Sequence, residues 1–256
     1  DYTEGGKLYI GKSSVSGSNE TFKGYMHEFR VWGKALDLAT IVERMNVQLS
    51  GNEFNLIGCW QMNEATGTTV EDIARSMNGK INGATWVVDP SGRSLKLDGD
   101  GDYLEINSGT YAITEEMDFT VEFWFKGAAP MDTVALFSNG RGDGQCNNPN
   151  SWMIFGTPDN HIRVMNDGKV FDAVTTNYFD NTWHHFALSV NRKGNSYAYI
   201  DGELQNSMSG KSWLGLGSSR IWIGSRGWFT GMVQHNDKFF NGYVDEVRIW
   251  NLARKQ

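Results

Sequence analysis

The segment Phe-Lys-Gly-Tyr-Met-His-Glu-Phe-Arg-Val-Trp at residues 22–32 returns as Phe-Asn-Gly-Tyr-Val-Asp-Glu-Val-Arg-Ile-Trp at residues 240–250, with six of eleven positions identical. Upstream of each copy stands a short strand-like run closing on Ile-Gly, Leu-Tyr-Ile-Gly ending at Gly11 and Ile-Trp-Ile-Gly ending at Gly224. The copies lie roughly 215 residues apart, far beyond the period of a solenoid repeat and about the size of one all-β domain. Residues 1–36 therefore read as the last two strands of a preceding domain, and residues 54–256 as a complete second copy. The orphan strands are expected to be completed by further chain or to pack onto a neighbouring sheet or molecule, because unpaired edges attract partners. Residues 37–53 read as a connector. Asp37 suits a helix N-cap, Leu38, Ile41, Val42, Met45 and Leu49 recur at helical spacing, and Gly51 is a stop.

Composition agrees with a β-rich chain. The 256 residues are 39% hydrophobic and 21% charged, an ordinary globular mixture that excludes disorder, collagen and coiled coil. Gly 30 against Pro 4, with an aromatic share of 13%, favours pleated surfaces joined by tight turns. The formal net charge of -7 and the absence of a basic run argue against nucleic acid as a partner. No stretch approaches the ~20 apolar residues of a membrane-spanning helix. Two cysteines, Cys59 in an apolar run and Cys146 in a polar one, are too few for a disulfide framework or a zinc site. They could form one bridge, and two free thiols is the preferred reading.

From Phe54 onward apolar residues alternate with period two between turn-rich segments, the pattern of a β-sandwich. Phe119, Val121, Phe123 and Phe125 share one face of their strand, opposite Glu122 and Trp124. The same rule turns Phe186, Leu188, Val190, Ala198 and Ile200 inward. It turns His185, Tyr197, Tyr199, Trp222, Arg248 and Trp250 outward. Flat rings beside carboxylate, guanidinium and imidazole groups suit the C–H face and hydroxyls of a sugar. Glu122, Trp124, His185, Tyr199, Trp222 and Arg248 are thus the candidate ligand-binding residues. The competing reading packs these rings beneath loops or against a neighbouring domain.

Asp245 falls on the face of Val247 and Ile249, where a carboxylate needs a compensating partner; a calcium ion, or backbone amides and an Arg, would serve. Asp-Gly-Asp-Gly-Asp at 98–102 imitates the start of an EF-hand loop, but helices do not flank it and Gly109 stands where the twelfth-position Glu belongs. It reads instead as a glycine-rich hairpin whose Asp102 could help bind an ion. The polar loop at 138–152 suits ligand contact, and its Arg141-Gly142-Asp143 is read as chance. The five histidines carry no nucleophile motif around them, and no phosphate loop or dinucleotide fingerprint is present.

The runs at 57–86 (IGCWQMNEATGTTVEDIARSMNGKINGATW) and 94–106 (SLKLDGDGDYLEI), followed in order by FTVEFWFK, TWHHFALSV, AYIDGEL, IWIG and GYVDEVRIW, resemble the laminin-G-like members of the concanavalin A-like lectin/glucanase superfamily. That resemblance spans about residues 54–254. It implies an antiparallel two-sheet jelly roll, export to the cell surface or beyond, frequent calcium, and a non-catalytic role beside neighbouring domains of one protein. Tandem copies joined by a short helix resemble surface or secreted proteins of glycan-degrading bacteria. In related jelly rolls an aspartate of the last strand shares calcium with the first strand and its following turn, which here implies Asn63, Glu64 and the backbone near Gly67 together with Asp245. His27 stands at the position matching Asp245 in the partial copy, so the upstream domain lacks that ligand.

The superfamily also contains family 16 glycoside hydrolases, whose acids sit on one strand. Glu116, Asp118 and Glu122 share a parity, but a retaining mechanism needs carboxylates ~5–5.5 Å apart. Glu116 and Glu122 would stand about 20 Å apart along an extended strand. The expectation is therefore a non-catalytic, extracellular carbohydrate-binding module with a glycan or polysaccharide as partner. A structural or adhesion module is the alternative, and a glycosidase the least favoured reading.

Overall fold

The computed structural model describes residues 7–13, 23–24, 29–32, 38–45, 47–89, 92–107, 117–140, 152–166, 169–209, 220–230, 233–240 and 242–250. In chain order the elements are β1 (Lys7–Ser13), β2 (Lys23–Gly24), β3 (Phe29–Trp32), α1 (Leu38–Met45), β4 (Leu56–Trp60), β5 (Thr69–Val70), β6 (Gly79–Asn82) and β7 (Thr85–Asp89). Then follow β8 (Gly92–Asp98), β9 (Tyr103–Asn107), β10 (Phe119–Gly127), β11 (Val134–Gly140), β12 (Trp152–Gly156), β13 (Ile162–Asn166) and β14 (Lys169–Val174). The last are β15 (His184–Val190), β16 (Asn195–Ile200), β17 (Glu203–Ser209), β18 (Arg220–Thr230), β19 (Val233–Asp237) and β20 (Gly242–Trp250). The strands form two sheets. One runs β14-β13-β12-β11-β18-β1-β9-β6-β5 with β19 on β18; the other runs β17-β16-β15-β10-β3-β4-β20-β8-β2 with β7 on β8. The chain is an all-β two-sheet sandwich, as the alternation predicts.

Between the sheets lies one apolar core. Phe119, Val121, Phe123 and Phe125 of β10 meet Phe186, Leu188 and Val190 of β15 and Ala198 and Ile200 of β16, all essentially withdrawn from solvent. Opposite them stand Leu104 and Ile106 of β9, Leu136 of β11, Ile154 of β12 and Val164 of β13. Each such side chain contributes about 1.5–3 kcal/mol by leaving water, which is why the two-residue period dictates which way every strand turns.

Turn chemistry fixes the registers. Ile200 pairs with Glu203, leaving Asp201 and Gly202 as a two-residue hairpin with φ of 51° and 79°, both left-handed, as the primed turn matching strand twist requires. Asp72 is the hub of the turn after β5: Oδ1 accepts from the amides of Cys59 and Ala74, and Oδ2 from those of Arg75 and Met77, at 2.9–3.2 Å.

Two sequence expectations change. The Asp98–Asp102 run is not a hairpin: it crosses from β8 in one sheet to β9 in the other. Its flanking strands are too far apart in topology to pair, and Gly99 and Gly101, both at φ 87°, turn the chain between layers. The connector helix ends at Met45, earlier than the spacing out to Leu49 implies. Leu49 is nonetheless buried, carried back onto the sheet by the segment that turns at Gly51, whose φ is 88°. Asp37 lies outside the described residues.

The partial copy of the repeat is not left unpaired. β3 pairs with β10 and β4, β2 with β8, and β1 with β9 and β11. The registers repeat those of the other copy. Thr120, Val121 and Glu122 stand opposite Trp32, Val31 and Arg30, and likewise opposite Trp250, Ile249 and Arg248.

Candidate functional site

The outward face of the β10–β15–β16 sheet carries Glu122, Trp124, His185 and Tyr199, brought together as the alternation predicts. That face is closed rather than open. Glu122 and His185 are 0% exposed and Tyr199 1%, while Trp124 is half-buried. A second apolar cluster seals it: Ile41 of α1 and Leu49 pack on Leu56, Cys59, Ala187 and Tyr199. Val42 of α1 rides so close to the hairpin turn that a Cβ at Gly202 would come within 2.9 Å of its Cγ2. The expectation of a solvent-facing aromatic groove over these residues is thus corrected. Strand periodicity reports which side of a sheet a residue occupies; it does not report what is laid upon that side.

Inside the sealed strip the Nε2 of His185 lies 3.5 Å from Oε2 of Glu122, and the Trp124 ring meets the His185 ring edge-on at 5.3 Å. Arg248 and Arg30 are placed opposite Glu122 by backbone register; their side chains lie outside what the structure describes. Trp222 does not join this group. It belongs to the other sheet, opposite Ser138, and is 0% exposed.

The expected metal ligands divide in the same way. Glu64 accepts the Glu71 amide at 2.8 Å through Oε1, while its Oε2 is buried with no hydrogen-bond partner. Burial pushes its pKa upward against that hydrogen bond. A divalent cation would satisfy the orphaned oxygen. The Asn63 amide donates to Gln61, its carbonyl accepts from Arg93, and the Gly67 carbonyl accepts from Trp86 Nε1 at 2.9 Å. Glu64 therefore suits calcium, and the neighbouring donors are partly engaged elsewhere. Asp245 sits in β20 opposite Trp124, with its side chain outside what is described. Among the described residues no group of three His, Cys, Asp or Glu side chains is arranged to hold a metal. Cys59 is a buried free thiol; Cys146, Glu116 and the 141–151 part of the long polar loop lie outside the described residues.

An open polar and aromatic rim, not singled out by the sequence, lies where β15 begins. The His184 ring is held by Asp201 at 2.8 Å through Nδ1, and by Thr182 at 2.9 Å and Asp180 at 3.2 Å through Nε2. Burial by itself would lower the His184 pKa, but these hydrogen bonds and the two carboxylate charges outweigh it and raise it. Asp201 and Asp180 are held below their ordinary value by the same contacts, against the opposing effect of burial. Tyr178 stands edge-on to His184 at 4.9 Å; Trp183, the preceding residue in the chain, is half-buried. Both carboxylates are over 40% exposed and presented to solvent, while the His184 side chain that holds them is 12% exposed. The signal was present in the strand register: Phe186 opposite Ile200 carries Asp201 to the histidine pair. Farther along the edge, Arg163 bridges Asp172 and Asp159 at 2.6 and 2.7 Å, with His161 3.6 Å from each.

A family model described as the concanavalin A-like lectin/glucanases superfamily, of laminin G type, matches residues 98–256. The fold is similar to that of domain 4 of AbnA, a GH43 extracellular arabinanase from Geobacillus stearothermophilus solved with arabinotriose. The TM-score is 0.52 at 16% identity, covering 91% of this chain and 94% of that one. It is also similar to the binding domain of Paraclostridial Mosquitocidal Protein 1, with TM-score 0.51 and 16% identity over 73% of this chain and 47% of that chain. A curated relative, the non-toxic nonhemagglutinin of Paraclostridium bifermentans, is 23% identical over 239 residues, or 86% of this chain. The match spans 20% of that protein's length.

Proposed function

The chain belongs to the concanavalin A-like lectin/glucanases superfamily, and from that premise we propose that it is a non-catalytic, extracellular carbohydrate-binding module. The observation that carries the reading is the rim at the start of β15. Tyr178 offers ring surface beside His184, while Asp180 and Asp201, fixed by that histidine, offer exposed hydrogen-bonding groups. Such a pairing recognises a sugar by its C–H face and its hydroxyls together. The similar arabinanase domain, solved with arabinotriose, supports a sugar as the ligand class and the cell exterior as the place.

Turnover is disfavoured by the carboxylates themselves. Glu122 is 0% exposed, and Asp118 accepts the Arg192 amide at 2.9 Å. A retaining hydrolase needs two carboxylates flanking one accessible bond. Calcium forms part of the proposal through Glu64, whose orphaned oxygen a cation would engage, with Asn63 and Asp245 as further donors. A second reading, a structural or adhesion module acting through neighbouring domains, draws on the burial of Trp222 and Tyr199.

A glycan array followed by calorimetry tests the binding. Tyr178→Ala is expected to abolish retention of the captured glycan with an unfolding free energy within about 1 kcal/mol of wild type, while Trp124→Ala leaves affinity unchanged. Capture of no glycan at millimolar protein turns the reading to the structural alternative. Release of reducing ends from polysaccharide would overturn the non-catalytic assignment. For calcium, a melting temperature that rises on adding the ion and is insensitive to it in Glu64→Gln supports the site, and equal responses in both proteins refute it.

A further inference from the structure

The two copies of the repeat address one place in the sandwich. On β10, the residues Thr120, Val121 and Glu122 pair with Trp32, Val31 and Arg30 and equally with Trp250, Ile249 and Arg248. On β4, Cys59, Gly58 and Leu56 pair with Arg30, Val31 and Trp32 and equally with Arg248, Ile249 and Trp250. Leu97 of β8 stands opposite both Gly24 and Gly242. In the other sheet, Phe137 and Ser138 of β11 stand opposite Ile10 and Tyr9, and opposite Ile223 and Trp222. β1 and β18 run parallel with equivalent positions abreast, Leu8 beside Ile221.

A strand has two edges, and each edge gives its backbone groups to one neighbour. One edge of β10 is taken by β15. Its other edge is the slot, for which β3 and β20 are rivals. The identical Gly, Arg and Trp of the two copies, and Val31 for Ile249, give both segments one register.

We infer that β1 and β3 of the first copy and β18 and β20 of the second are alternative occupants of a single slot, so that the sandwich closes with either pair while the other is released. Each has its own advantage. The first copy reaches β4 through the short connector that carries α1, so its loop costs little entropy to close. The second arrives from the far end of the chain, but β20 pairs with β10 from Gly242 to Trp250, with one register shift between Glu122 and Trp124, and with β8 and β4 along its other edge. The helix packed on Tyr199 and Cys59 keeps the first copy beside the slot while the second fills it.

Amide hydrogen exchange on the full chain, read by mass spectrometry, tests this. Peptides covering 22–32 and 240–250 are each expected to show a protected and an exchanged population, the protected fraction of one matching the exchanged fraction of the other. In Ile249→Pro, which removes a backbone donor near the C-terminal end of β20, protection is expected to move to 22–32. Val31→Pro is expected to move it to 240–250. Full protection of both peptides in the wild type would mean two slots and overturn the inference. So would protection of 240–250 alone with no transfer to 22–32 in Ile249→Pro.

Discussion

His185 and Glu122 face each other from neighbouring strands with Nε2 and Oε2 3.5 Å apart, and neither side chain touches solvent. The pair is buried on a face that alternation assigns to the outside, the face on which Ile41 and Leu49 pack against Ala187 and Tyr199. A carboxylate taken so far from water persists where imidazole and further polar partners stand around it.

Glu122→Ala is accordingly expected to cost about 3–5 kcal/mol, because it strands the His185 ring in an apolar layer. Glu122→Gln, which keeps the shape and one acceptor, is expected to cost less. Urea unfolding of the two variants measures the difference. Equal stability of Glu122→Ala and wild type would mean that the strip admits water.

Asp72→Ala is expected to lose about 2–4 kcal/mol, since four backbone amides lose their shared acceptor at once. Asp72→Asn keeps one acceptor oxygen and should recover part of that loss. Amide exchange should report the damage first at Cys59 and Met77.

His184 gives a pH signature. Its pKa is raised, so its contribution is fully present below the ordinary imidazole value and is lost as pH rises through the raised one. Asp201 and Asp180 are lowered, so theirs is present above the ordinary carboxylate value and lost as pH falls through the lowered one. The stability gap between wild type and His184→Gln should be widest at about pH 5.5. It should close toward pH 9. A gap that widens at alkaline pH would contradict the assignment.

Asp102 is shifted in the opposite sense to Asp180 and Asp201. Burial beside Asp98 and Asp100 pushes its carboxyl up to about 7. The unfolded chain ionises first, so stability falls as pH rises from the ordinary carboxylate value to about 7 and is level above that. Asp102→Asn should therefore be more stable than wild type at about pH 8 and converge with it near pH 4. Chemical denaturation at the two pH values is the measurement.

Much of this was legible in the chain. Period-two alternation identified the inward faces of β10, β15 and β16, since Phe119, Phe123, Phe186, Leu188 and Ile200 all lie in the inter-sheet core. Asp201-Gly202 announced its hairpin because two left-handed residues in succession favour that turn. The Asp98–Asp102 run misled, since glycine and aspartate suit a crossing between sheets as well as a hairpin. The rim around His184 went unnoticed because Tyr178, Asp180 and Thr182 lie in an irregular segment without period, and Asp201 reaches the histidine only when β15 and β16 are laid side by side.

The repeat, two copies of one strand pattern, was determined by sequence alone, because side-chain identity and strand register are local properties that a chain carries wherever it goes. Tertiary structure decided what those copies compete for and what covers the outward face. Both depend on which surfaces come within a few ångströms: the second edge of β10 accepts one strand, and the connector helix lies down on Cys59, Ala187 and Tyr199 only once the sheet beneath it exists.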